Sequence, residues 1–247
     1  MKQIGIICLP TDCSGPYELY NITRDIPNLI IKSTNCYFPK NTQELNKNTY
    51  KYALTHLSKT AECLRPVGVF NCIGLACTSF SFSVGYENIK KKITDIHPET
   101  IVIDMNQSLL KAVHTLSIKR VIVLTAYTEE LNTIFRSNIE SNNIEILGMY
   151  GFGLNNDFDI YNISEELILQ AILNLKLKYF KKDEHQNIGI IISCSSLRTL
   201  RKGFIDMLEK ETGLCVITSM QSFCWNILRT SSINDKISGF GTLFIEF

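Results

Sequence analysis

The stretch Ile188-Gly189-Ile190-Ile191-Ile192-Ser193-Cys194-Ser195-Ser196-Leu197-Arg198-Thr199 decides how this chain is read. Its apolar half is β-branched and does not alternate with polar residues. A strand of that kind is covered on both faces, as in a parallel sheet between layers of helices. The strand then runs into a cysteine followed by hydroxyl residues. A second stretch repeats the plan: the apolar run that starts at Val67 leads to Ala76-Cys77-Thr78-Ser79-Phe80-Ser81. The two cysteines lie nearly half the chain apart, which hints at two related halves.

Working outward, further short apolar runs occur at 4–9, 29–32, 67–72, 100–103, 120–125, 144–149 and 214–218. Helical patterns fill the gaps at 49–64, 106–116, 129–141, 165–180, 197–211 and 222–230. Strands alternating with helices form βαβ units and parallel sheets. The expected fold is therefore α/β, with two pseudo-symmetric parallel-sheet domains and the active site in the cleft between them. Residues 1–118 with a C-terminal return, 219–247, would form the first domain, and 119–218 the second.

A cysteine beyond the carboxyl end of such a strand stands where open α/β sheets bind ligands. Helix N-terminal amides there would lower its thiol pKa, and the neighbouring hydroxyls and amides would hold a carboxylate. Taken singly, a cysteine after a strand is more often a buried core residue, and the serines and threonines serve equally as helix caps. Two copies in matching contexts favour Cys77 and Cys194 as functional. Cys8, Cys36, Cys63, Cys72, Cys215 and Cys224 lack the hydroxyl-rich flank and read as small hydrophobes; Cys13 is ambiguous.

Composition excludes several classes. The 247 residues carry a net charge of +1 and are 45% hydrophobic. No global field attracts nucleic acid or an anionic membrane. Lys90-Lys91-Lys92 and Lys181-Lys182 read as solvated helix ends. The apolar run after Lys2 is too short for a signal peptide, and no stretch reaches the length of a membrane helix, so the expected location is the cytoplasm. Nine cysteines without a Cys-x-x-Cys pair or a Cys/His cluster predict reduced thiols and no metal. His56, His97, His114 and His185 are scattered outside the cysteine motifs. The glycines of Gly148-Met149-Tyr150-Gly151-Phe152-Gly153 lack dinucleotide spacing and are expected to make a bend between domains.

With these residues in view, the two cysteine motifs resemble those of maleate cis-trans isomerases, in the aspartate/glutamate racemase superfamily. Arylmalonate decarboxylases and a protein of ectoine utilisation are similar. Leu124-Thr125-Ala126-Tyr127-Thr128-Glu129-Glu130-Leu131-Asn132 resembles the strand-to-helix segment whose tyrosine contacts substrate. Thr218-Ser219-Met220-Gln221-Ser222-Phe223-Cys224-Trp225 resembles the late helix entry. The resemblance implies an isomerase without metal or organic cofactor, acting on a small carboxylic acid. It implies Cys77 as nucleophile and Cys194 as proton donor or acceptor. Asp12, Thr78, Ser79, Tyr127, Asp157, Ser195 and Ser196 would contact the substrate. Racemases of the superfamily use both cysteines on one carbon, whereas the decarboxylases keep only the second. A catalytically silent acid-binding protein and a homo-oligomer are both compatible with this resemblance.

Three departures stand out. Phe80 replaces a glycine and would narrow the pocket. Met220 replaces an asparagine. Asp12 stands where an asparagine is usual, so it would repel a second substrate carboxylate but accept an ammonium or hydroxyl group.

Overall fold

The computed structural model describes residues 1–12, 14–180 and 187–247. Cys13, Lys181, Lys182 and His185, which entered the sequence reading, lie outside them. The first half of the chain runs β1 (Lys2–Cys8), α1 (Gly15–Thr23), β2 (Leu29–Asn35), α2 (Lys47–Thr55), α3 (Leu57–Glu62), β3 (Cys72–Leu75), α4 (Thr78–Val84), α5 (Tyr86–Thr94), β4 (Ile101–Asp104) and α6 (Met105–Thr115). The second runs β5 (Arg120–Tyr127), α7 (Glu129–Ser141), β6 (Glu145–Leu154), α8 (Asp157–Tyr161), α9 (Glu165–Tyr179), β7 (Ile188–Ser193), α10 (Phe204–Thr212) and β8 (Cys215–Thr218). The helices α11 (Ser219–Thr230) and α12 (Thr242–Glu246) complete it.

Two four-stranded sheets result, ordered β2-β1-β3-β4 and β6-β5-β7-β8, with every pairing parallel. The orders are the same, so β3 and β7 hold equivalent places, each beside the strand that opens its half. The strand order reverses at that place, leaving a crevice beyond the carboxyl ends. Cys77 lies two residues past β3 and Cys194 directly follows β7. All six residues of β7 are buried, as its unbroken apolar run requires.

Helix α11 is buried along residues 219–228 and packs on α6 and on strands of both sheets. Its Phe223 lies over Gly74, where a Cβ would come within 2.6 Å of the ring. A capping box between Thr218 and Gln221 fixes its start.

Several elements differ from expectation. The run at 67–72 is mostly loop, and the strand itself is Cys72–Leu75. The helix expected at 49–64 breaks at His56 into α2 and α3. The helix expected at 197–211 starts only at Phe204, because Arg198 and Gly203 take left-handed conformations before it. Residues 148–153 belong to β6 rather than to a bend. Their glycines permit close approach: a Cβ on Gly148 would lie 2.2 Å from the Tyr179 ring.

Candidate functional site

Cys77 caps α4. Its backbone is extended, and its Sγ accepts the Phe80 N–H at 3.4 Å. Ser79 Oγ lies 3.4 Å from the same sulfur and 2.6 Å from the hydroxyl of Tyr50 on α2. Across the crevice, Cys194 begins a short 3₁₀ turn with φ 153° and ψ 133°. That region strongly favours glycine, so a non-glycine residue there holds backbone strain.

One hydroxyl joins the two cysteine loops. Ser219 Oγ, on the first residue of α11, accepts from Thr78 Oγ1 at 2.7 Å and from the Cys194 N–H at 3.2 Å. It donates to Ser193 Oγ at 3.4 Å, which lies 3.0 Å from the Tyr127 hydroxyl. The Tyr127 ring packs against Phe82 and Phe135. It is thus both a core aromatic and a polar contact at the crevice.

Two carboxyl groups close the arrangement. Asp157, the first residue of α8, accepts from Ser196 Oγ at 2.6 Å and from Thr11 Oγ1 at 2.5 Å. Asp12 Oδ1 accepts the N–H groups of Ser14 and Gly15 at 3.0 and 2.9 Å, which fixes the start of α1. Asp12 Oδ2 is sealed from solvent and has no hydrogen-bond partner among the described residues.

Burial dominates the electrostatics. Cys77 is 4% exposed and Cys194 6%. Desolvation pushes the Cys77 thiol up to about 12, against the opposing pull of Ser79 and the Phe80 N–H; Asp157 and Asp12 push it further up. The Cys194 thiol also lies well above its ordinary value, by burial first and then by Asp157, despite the Ser196 N–H. This corrects the expectation of a lowered thiol pKa. The amides are in place, but desolvation of the anion outweighs them. Burial raises the Asp157 carboxyl too, while Ser196 and Thr11 hold it down.

The structure therefore brings Cys77, Thr78, Ser79, Tyr127, Cys194 and Ser196 together around Ser219 and Asp157, with Ser195 buried in the same turn and Asp12 close enough to act on both sulfurs. Phe80 does not project as the sequence suggested: its ring stacks on Tyr50 at 5.5 Å, fully buried. Arg198 donates to the Ile163 carbonyl and lies over the Tyr161 ring. Ser219, Ser193, Tyr50 and Thr11 were missed as contributors. Ser219 directly follows a strand end, which was its one legible signal.

A cavity of about 810 Å³ borders this cluster, lined by Ser14, Glu18, Arg198 and Leu200 among others, but neither cysteine opens onto it. Among the described residues no group of three His, Cys, Asp or Glu side chains is placed to hold a metal ion, and no helix is long and apolar enough to cross a membrane.

Comparison with known proteins bears on the family and the fold. The family model for arylmalonate decarboxylase matches residues 40–244. The chain belongs to the arylmalonate decarboxylase family. A search of curated proteins finds no match. Among solved structures, the fold matches a maleate cis-trans isomerase of Nocardia farcinica, a cysteine-to-serine variant with a covalently bound succinylcysteine intermediate. The TM-score is 0.86 at 13% identity, over 100% of this chain and 99% of that one. A liganded two-site variant of arylmalonate decarboxylase gives 0.82 at 19% identity over 100% of both chains. A maleate isomerase from Pseudomonas putida S16 with maleate gives 0.82 at 16% identity, over 98% of this chain and 97% of that one. These structures, named for isomerases and a decarboxylase, share the two-sheet α/β fold with this chain.

Proposed function

We propose that this chain is a cofactor-independent isomerase of a small carboxylic acid, with Cys77 as nucleophile and Cys194 as proton donor and acceptor. The observation that carries this reading is the placement of both thiols at equivalent strand ends, joined through Ser219. The covalent succinylcysteine in the Nocardia relative supports a sulfur nucleophile. The arylmalonate decarboxylase structure carries a cysteine introduced in place of a glycine, whereas this chain has both of its cysteines natively.

In the proposed cycle the substrate carboxylate rests on the backbone N–H groups and hydroxyls at Thr78, Ser79, Ser195 and Ser196, with Tyr127 as a further donor. The reactive form is the Cys77 thiolate, reached by loss of the thiol proton to solvent before substrate seats, and Ser79 Oγ, the nearest hydroxyl, donates to it. The thiolate adds to one carbon of a cis double bond while Cys194 protonates the other. The resulting single bond rotates. Cys194 then takes the proton back as the carbon–sulfur bond breaks, leaving the trans isomer. Cys194 stays protonated between turnovers because a second thiolate beside the first is disfavoured. We also propose residues 1–118 with 219–247, and 119–218, as the two domains; the packing of α11 on α6 supports the return of the chain.

The family match favours a second reading, decarboxylation depending mainly on Cys194. Turnover of unsaturated acids, amino acids and aryl malonates by wild type, Cys77→Ala and Cys194→Ala separates the two. An isomerase loses all turnover in both variants, whereas a decarboxylase keeps most of it in Cys77→Ala. Binding without turnover by the wild type would leave an acid-binding protein. Chelated, dialysed protein should retain full activity, and a strict need for added metal or nucleotide would sink the cofactor-independent reading.

A further inference from the structure

Asp12 is 7% exposed, and its two oxygens are used differently. Oδ1 is saturated by the first amides of α1, while Oδ2 has no donor among the described residues. Leaving a buried acceptor unpaired is costly, and more so when it carries charge. Gly15 stands close against it: a Cβ there would come 2.8 Å from Oδ2, so a side chain at that position would crowd the unpaired oxygen. The second carboxylate of the cluster offers no help, since both Asp157 oxygens accept from hydroxyls. No arginine, lysine or histidine is hydrogen-bonded or ion-paired to Asp12, Asp157, Cys77 or Cys194 among the described residues. The crevice thus offers donors at the two cysteine loops and a bare acceptor at Asp12.

We infer that the substrate carries one carboxylate and, in place of a second, an N–H donor that pairs with Asp12 Oδ2. This rests on the reading of the crevice as the substrate site. A dicarboxylate would set a second anionic acceptor against Asp12 with no cation to relieve it. An amide or an ammonium group supplies the missing hydrogen bond and, in the second case, the opposite charge. The shared chemistry is a monoacid with a polar N–H group; its two sources are the half-amide of a cis-enedioic acid and an amino acid.

The test compares wild type with Asp12→Asn. Asparagine keeps an oxygen to cap α1 and turns Oδ2 into a donor of the same size, so folding is spared. The probes are maleate, its half-amide and L-alanine. Turnover is followed by proton NMR, as trans product for the first two and deuterium uptake at Cα in heavy water for the third, and binding by calorimetry. Wild type should favour one N–H acid over maleate by about tenfold or more, and Asp12→Asn should reverse that order. The inference fails if maleate is the preferred ligand of wild type, if Asp12→Asn leaves the ratio unchanged, or if wild type binds neither N–H acid at millimolar concentration. Loss of turnover in Cys77→Ala under the first two outcomes would leave the two-cysteine reading standing while the substrate class falls. Turnover surviving in both single-cysteine variants would bring down that reading instead.

Discussion

At the scale of single residues, burial controls the two thiols on which the proposed chemistry rests. With Cys77 pushed up to about 12, its thiolate fraction is far from saturation near neutrality. Below a pKa, the deprotonated fraction grows about tenfold per pH unit. The proposed isomerase should therefore show kcat/KM rising by roughly a hundredfold between pH ~7 and ~9, and a flat profile would mean that Cys77 is not the nucleophile. Iodoacetamide at neutral pH should first modify Cys63, which is exposed, and should leave Cys77 and Cys194 slow unless the crevice opens; peptide mapping reads this directly. The backbone at Cys194 gives a separate prediction. At φ 153° alanine is as strained as cysteine and glycine is not. Cys194→Gly should be more stable to denaturant than Cys194→Ala by about 1 kcal/mol, although both lack the thiol.

At the scale of elements, the cysteine loops are only as well placed as the helix that ties them. Ser219→Ala removes the acceptor shared by Thr78 Oγ1 and the Cys194 N–H, in a site closed to water. Stability should fall by about 1–3 kcal/mol and kcat by about tenfold or more, with KM changing less, because positioning rather than binding is lost. Equal losses in kcat and in folded fraction would reduce Ser219 to a structural role. The same elements show what the sequence could disclose. The buried strands were legible because a parallel sheet covered by helices demands unbroken apolar runs, and β7 is the plainest case. The short helices α1, α4 and α8 were not, since five to nine residues carry little period to read. The late start of α10 depends on Arg198 and Gly203 in left-handed conformations, and only the glycine advertises that in sequence. The hydroxyl motifs named most of the crevice. Thr11, Tyr50 and Ser219 reach it from elsewhere in the chain through tertiary packing, which no local pattern encodes.

At the scale of the whole molecule, Glu18 couples α1 to the loop that precedes α10. Its Oε1 accepts the Leu200 N–H at 2.6 Å from a buried position on α1. Desolvation lifts its carboxyl from 4.5 to about 8, against the Leu200 N–H and Arg198 and with Asp12. The folded protein thus keeps a proton that the unfolded chain gives up once the pH passes its own carboxyl value. The stabilisation is complete below that value, declines as the pH rises toward about 8, and then levels off. Asp104, lifted to about 6 chiefly by burial, acts in the same direction over the lower part of the window. Denaturation between pH ~5 and ~8 should show a loss of roughly 2–4 kcal/mol in wild type and a flatter curve in Glu18→Gln, which keeps the oxygen facing Leu200. Identical slopes would refute the assignment.

The seating of Phe223 over Gly74 also sets an order of events during synthesis. Strands β1 to β4 and their crossover helices leave the ribosome within the first half of translation, yet the helix that covers Gly74 is encoded almost at the end. Until residues 219–230 emerge, the first sheet lacks the helix that covers Gly74, and the nascent chain carries uncovered apolar surface there for much of its elongation. Domains usually fold as units in the order they are made. Here the first sheet must wait for the last helix, so a stalled or truncated chain ending near residue 218 should be held by chaperones or degraded rather than accumulate half-folded.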